Sequence, residues 1–296
     1  MYVNIINYAR RRYFWWAVML LLISSGLYLS QAETLPPNGG SWQGYVLGSI
    51  GTLLIIWLSC LGIRKRRYAS KSANLQAWVS AHIYLGVSLI GVATLHCAFQ
   101  FGLNVHTLAY VLMCTVILSG LIGLYAYLRY PRLLVENRAN QSFEQRLESL
   151  AKIDKEGLAL AANCDVEIQS IIASAIDRTA IGGNLLTQFF GRDHSSVAMP
   201  VKDAASHHTQ MFDNKGQQTV IDFLVAKIPN TQKPGEAERL QKLLYILGRR
   251  QEILRRLRRE LCLQFRTKLW LSVHIPLSIA LLVSLCIHIF TVFFYW

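Results

Sequence analysis

Five runs of apolar residues decide what this chain can fold into. They cover roughly 14–30, 44–63, 78–99, 106–128 and 269–295. Each approaches or exceeds the ~20 residues that a helix needs to cross a bilayer. Inside lipid a backbone must satisfy its own polar groups, and a helix does so within a single segment. Composition agrees. Hydrophobic residues make up 53% of the 296 and charged residues only 16%, against roughly 25% charged in soluble domains. The expected fold is an all-α integral membrane protein with five transmembrane helices.

Between the fourth and fifth runs lies a long polar stretch. The chain therefore divides into 1–130 (spans one to four), 131–268 (an insertion) and 269–296 (the fifth span). Within the insertion, 143–160 and 165–179 read as helices. Residues 181–234 are richer in Gly, Asp, Asn and Pro and read as loop, with a short regular element at 219–227. From 236 to 268 the residues Leu240, Leu243, Leu244, Leu247, Leu254, Leu257, Leu261 and Phe265 recur every three or four positions, one apolar stripe on a helix. The opposite face is rich in Lys and Arg. It reads as a basic edge near lipid headgroups or as a docking surface for an acidic redox partner. No proline interrupts the pattern before the last span, so one long helix is expected.

The formal charge of +13 is read as a topology signal rather than as a sign of nucleic-acid binding. Arg10, Arg11 and Arg12 precede the first run. Arg64, Lys65, Arg66, Arg67 and Lys71 follow the second. Arg129 and Arg132 follow the fourth. Segments 31–43 and 100–105 hold no Lys or Arg. This alternation puts the N-terminus and the insertion in the cytoplasm of a bacterial inner (plasma) membrane, with Trp296 on the far side. Residues 1–32 have a rival reading as a cleaved leader ending at Ser30-Gln31-Ala32. The six cysteines form no C-x-x-C pair, which argues against c-type haem, iron–sulfur clusters and zinc.

Four histidines form a pattern. His82 and His96 lie fourteen residues apart in the third run, and His274 and His288 fourteen apart in the fifth. Fourteen helical residues make about 3.9 turns and rise roughly 21 Å, so each pair shares a face and fits within a hydrocarbon core of about 30 Å. Both runs start on the cytoplasmic side. His82 is thus level with His274, and His96 with His288. Two imidazoles facing each other at one depth can hold an iron from both sides, and two such levels imply two bis-histidine haem b groups. The surroundings repeat: Trp78-Val79-Ser80-Ala81-His82 parallels Trp270-Leu271-Ser272-Val273-His274. Small residues, Gly86 and Ser278, follow each first histidine by one turn, where a flat macrocycle needs room. Leu89, Ala93, Leu281 and Leu285 would line an apolar layer between the levels. Pro276 is expected to kink its helix around Ser272. His106 sits at the outer start of the fourth run. The adjacent His207-His208 lacks further ligands and is not expected to bind metal.

With these residues the chain resembles the ferric reductase-like transmembrane domain. That resemblance implies two stacked b haems held by His82, His96, His274 and His288 on the third and fifth spans. It covers the five runs, about half the chain. The family's usual sixth span and its flavin and nicotinamide domains are missing, and the insertion is longer than the family's loop. The enzyme chemistry therefore does not carry over. The expectation is an electron-transfer subunit rather than a complete enzyme. It would link cytoplasmic redox subunits to quinone or an extracytoplasmic cytochrome. A self-sufficient quinol or ferric reductase, with His106 exchanging protons, is one rival. A haem-free membrane anchor or receptor is another.

Overall fold

The computed structural model describes residues 5–31, 37–66, 75–203, 206–230 and 235–294. Arg67, Lys71, Trp296 and Ala32, on which parts of the topology and leader readings rest, lie outside the described residues. The chain forms two compact units, one of 1–125 with 270–296, the other of 126–269.

The first unit contains α1 (Arg12–Leu29), α2 (Trp42–Arg66), α3 (Leu75–His96), the first part of α4 (Val105–Arg138) and the last part of α9 (Glu236–Phe294). These five helices are long and apolar enough to cross a membrane. Their outward faces bear Leu22, Leu53, Leu118, Ile122, Ile279 and Val283, all exposed. Helices apolar on the outside as well as the inside need lipid as solvent. α3 packs closely on α1 and α2. A core of Ile55, Leu89, Met113, Leu281 and Leu285, with Ala93 against it, joins four of the helices. The four residues expected to line a mid-depth apolar layer thus lie together. α9 runs unbroken through Pro276.

The second unit is built from α5 (Phe143–Ala161), α6 (Val166–Asp177), α7 (Leu185–Phe190), the strands β1 (Ser196–Asp203) and β2 (Ser206–Asp213), α8 (Gln218–Lys227) and the neighbouring parts of α4 and α9. α5 starts at a capping box. Gln145 N donates to Ser142 Oγ (3.1 Å) and Ser142 N to Gln145 Oε1 (2.8 Å), which satisfies two otherwise orphaned donors. The apolar stripe of α9 is the spine of the unit. Leu240, Leu243 and Leu247 pack with Ile168, Ile171, Ile172 and Val220, and Leu254 and Leu257 pack with Leu150.

Two expectations need correction. The segment read as loop contains α7 and an antiparallel hairpin, in register from Ser196↔Asp213 to Asp203↔Ser206. β2 reads Ser-His-His-Thr-Gln-Met-Phe-Asp, too polar to show the alternation that announces a strand. The hairpin is held from outside by α6: Val197 is fully buried in its core, and Ala198 N donates to Ser174 Oγ at 2.9 Å. The basic face of α9 is also not uniformly outward. Arg250 is buried and reaches Asp154 (2.6 Å), Gln217 (2.7 Å) and Thr179 (2.9 Å). Arg258 holds Asp193 (2.6 Å) and the Ala180 carbonyl (2.7 Å). Arg249, Arg255 and Arg259 remain exposed.

Candidate functional site

The site is built from three ring environments in the first unit and one orphaned atom. His96 ends α3. Its Nδ1 lies 2.8 Å from the Gly44 carbonyl, which can only accept, so Nδ1 donates and Nε2 keeps its lone pair. The contact exists because α2 carries glycine where it passes the ring: a Cβ on Gly48 would stand 2.8 Å from His96 Cε1. Small residues permit such close helix approach in membranes.

His274, on α9, makes the equivalent arrangement with α4. Its Nδ1 is 2.6 Å from Ser119 Oγ. That hydroxyl donates its single hydrogen to the Val116 carbonyl at 2.9 Å. It therefore accepts from His274 Nδ1, and Nε2 again keeps its lone pair. Trp270 stacks on His274 with centroids 5.2 Å apart, and its Nε1 donates to the Ser119 carbonyl at 2.8 Å. Gly120 and Gly123 admit these two rings against α4. The counterpart Trp78 does something different. It stacks on Trp57 at 4.9 Å, so the local likeness between the two histidine segments does not extend to their packing.

His288 bonds through Nδ1 to Nδ1 of His106, with the ring centroids 4.5 Å apart. His106 is thus a direct neighbour of a candidate ligand rather than an isolated surface group. The rings of His96 and His288 lie edge-on, with centroids 6.1 Å apart and planes at 90°. Two metal–imidazole bonds of about 2 Å each put facing nitrogens about 4 Å apart and ring centres about 6 Å apart. The spacing suits axial ligation of one iron.

These rings border a cavity of about 1320 Å³ that extends inward to Leu89, Ala93, Leu281 and Leu285. Ordinary small-ligand pockets hold roughly 300–1,000 Å³, so this cavity has volume for a larger group. Two features mark the inner level. His82 Nδ1 is buried without a hydrogen bond of normal geometry, while the Leu58 backbone lies within reach of the ring. One turn on, Gly86 is buried, yet a Cβ added there meets nothing within 4 Å. His82 and His274 are close enough for their charges to interact.

The structure therefore brings the His96 and His288 rings together, while His82 and His274 are near enough for their charged forms to repel. Among the described residues no group of three or more His, Cys, Asp or Glu is disposed to hold a bare metal ion, whereas axial haem ligation needs only two. His207 and His208 fall on β2, opposite Lys202 and Val201. Sequence reasoning missed Ser119, Gly44, Gly48, Gly120 and Gly123. Their signal was present as small residues recurring every three or four positions inside apolar runs, the pattern of close helix contact. No family model matches the chain, and no curated protein or solved structure is similar to it.

Proposed function

We propose that this chain is a diheme b-type cytochrome, a membrane subunit that carries electrons across the bilayer. His82 and His274 hold the inner haem, His96 and His288 the outer one. The observation that carries the reading is the hydrogen bonding of three of the four rings. His96 and His274 have Nδ1 engaged as donor, which leaves the lone pair of Nε2 available to a metal, as in ligating histidines generally, and His288 shares its Nδ1 contact with His106. Haem iron supplies reversible one-electron chemistry, tuned by axial ligands, burial and nearby hydrogen bonds. The chain itself supplies the clamp, the glycine-lined approach and the apolar layer of Leu89, Leu281 and Leu285 between the levels.

The distribution of Lys and Arg supports a cytoplasmic N-terminus and second unit in a bacterial inner membrane. Electrons would pass between a redox subunit on that side and quinone or an extracytoplasmic cytochrome on the other. The size of the outer cavity favours, as a second reading, a quinol or ferric substrate bound beside the outer haem.

The test is an optical and paramagnetic resonance titration of the purified full chain. Two low-spin bis-imidazole signals are expected. His82→Ala and His274→Ala should each remove the same one, and His96→Ala and His288→Ala the other. Absence of any b-type absorption in intact protein would overturn the reading. Quinol-driven reduction of the isolated chain would promote the second reading over a pure relay.

A further inference from the structure

α7 inverts the usual burial pattern. Thr187 is 5% exposed while Leu185, Leu186 and Phe190 are 70%, 67% and 55% exposed. The inversion is built in. Asn184 Oδ1 caps the helix by accepting from Thr187 N (2.8 Å) and Thr187 Oγ1 (2.6 Å). Gln188 Nε2 donates to the Gly183 carbonyl at 2.8 Å. Gly191 ends the turn in the left-handed region at φ 65°, where glycine carries no steric penalty. Thr187 faces inward, and Leu185, Leu186 and Phe190 lie largely uncovered.

What covers them is indicated by the neighbours. The Phe189 carbonyl accepts from Cys262 Sγ (3.3 Å) and Arg266 Nε (2.9 Å) of α9. Arg266 stands three residues before Leu269, where the last apolar run begins and which is itself exposed. The rim is cationic. Arg192 lies over the Phe190 ring at 5.2 Å and Arg266 over Phe189 at 5.4 Å, with Lys268 exposed nearby in the chain. Exposed Leu and Phe rimmed by Arg and Lys, joined to a helix about to enter lipid, have the chemistry of an interfacial anchor.

We infer that α7 is a monotopic membrane anchor: Leu185, Leu186 and Phe190 insert into the headgroup–acyl boundary of the bilayer that holds the spans, and Arg192, Arg266 and Lys268 sit on its anionic phospholipids. The inference does not depend on haem.

It is tested on the full chain in nanodiscs containing phosphatidylglycerol, with nitroxide labels at L186C, F190C and, as a control, V166C, an 80% exposed position. Wild-type protein labelled in parallel supplies the background of native cysteines. Collision rates with oxygen and with a water-soluble nickel chelate are compared. At 186 and 190 oxygen collisions should dominate and nickel collisions should be suppressed, the reverse of position 166. Adding L185E and L186E to F190C should restore nickel access at 190, and because both sites are exposed the fold is retained. Nickel access at 186 equal to that at 166 would overturn the inference, as would protection from both reagents, which means protein rather than lipid covers the turn.

Discussion

Gly123→Ala probes the inner level without touching a proposed ligand. A Cβ at Gly123 would stand 2.6 Å from Trp270 Cη2 and closer still to Cζ2 and Cε2. Ordinary contact begins at 3.4 Å, so Cη2 alone must retreat by 0.8 Å, the difference between these distances, and the two nearer atoms by more. Along the line of its hydrogen bond to the Ser119 carbonyl, now 2.8 Å, such a shift leaves 3.6 Å, no longer a hydrogen bond. Overpacking of this kind costs about 1–3 kcal/mol. Trp270 stacks on His274, and both rings lean on Ser119, so the cost falls on the inner level. If all of it is expressed there, inner-haem affinity falls roughly 5- to 150-fold. Stepwise haem titration of the apoprotein, read by paramagnetic resonance, should show the inner signal weakened and the outer one unchanged. Gly62→Ala, where an added Cβ meets nothing within 4 Å, is the control. An unchanged inner signal refutes the steric argument. Equal weakening of both signals refutes its local character.

Gly48→Val should act in mirror image, since its side chain must displace the His96 ring; the outer signal alone should shift. In the second unit, Glu260 is fully buried between Arg138 (2.7 Å) and Arg146. Glu260→Gln should destabilise that unit by about 3–5 kcal/mol, because Arg146 is left charged and unpaired in the interior; chemical denaturation followed by a probe in the unit measures it. Glu252, outside the apolar run, has its carboxyl pulled down to about 2, first by the Arg255 hydrogen bond and then by Arg256. A folded value below the ordinary 4.5 adds stability that is present above that pH and lost as pH falls towards 2. Wild type and Glu252→Gln should therefore converge in thermal stability between pH 5 and 2 and differ modestly at pH 7, the pair being partly exposed.

The bilayer makes much of this fold legible in one dimension. A span needs a fixed length of apolar residues and must be helical, so the runs ending near Leu29, Gly62, His96 and Phe294 announce helices from composition alone. The 3.6-residue period likewise puts His82 and His96 on one face, and His274 and His288 on another, before any packing is known. Local periodicity also located the stripe Leu240–Leu257, because an amphipathic helix buries one side whatever it meets. Tertiary structure decided the rest. Which group occupies each Nδ1 was set by contacts between residues 52, 155 and 182 positions apart, at Gly44, Ser119 and His106, and no local pattern encodes such pairing. The hairpin 196–213 and the inward turn of Arg250 and Arg258 were hidden for the same reason: polar segments become ordered only when distant partners satisfy their hydrogen bonds.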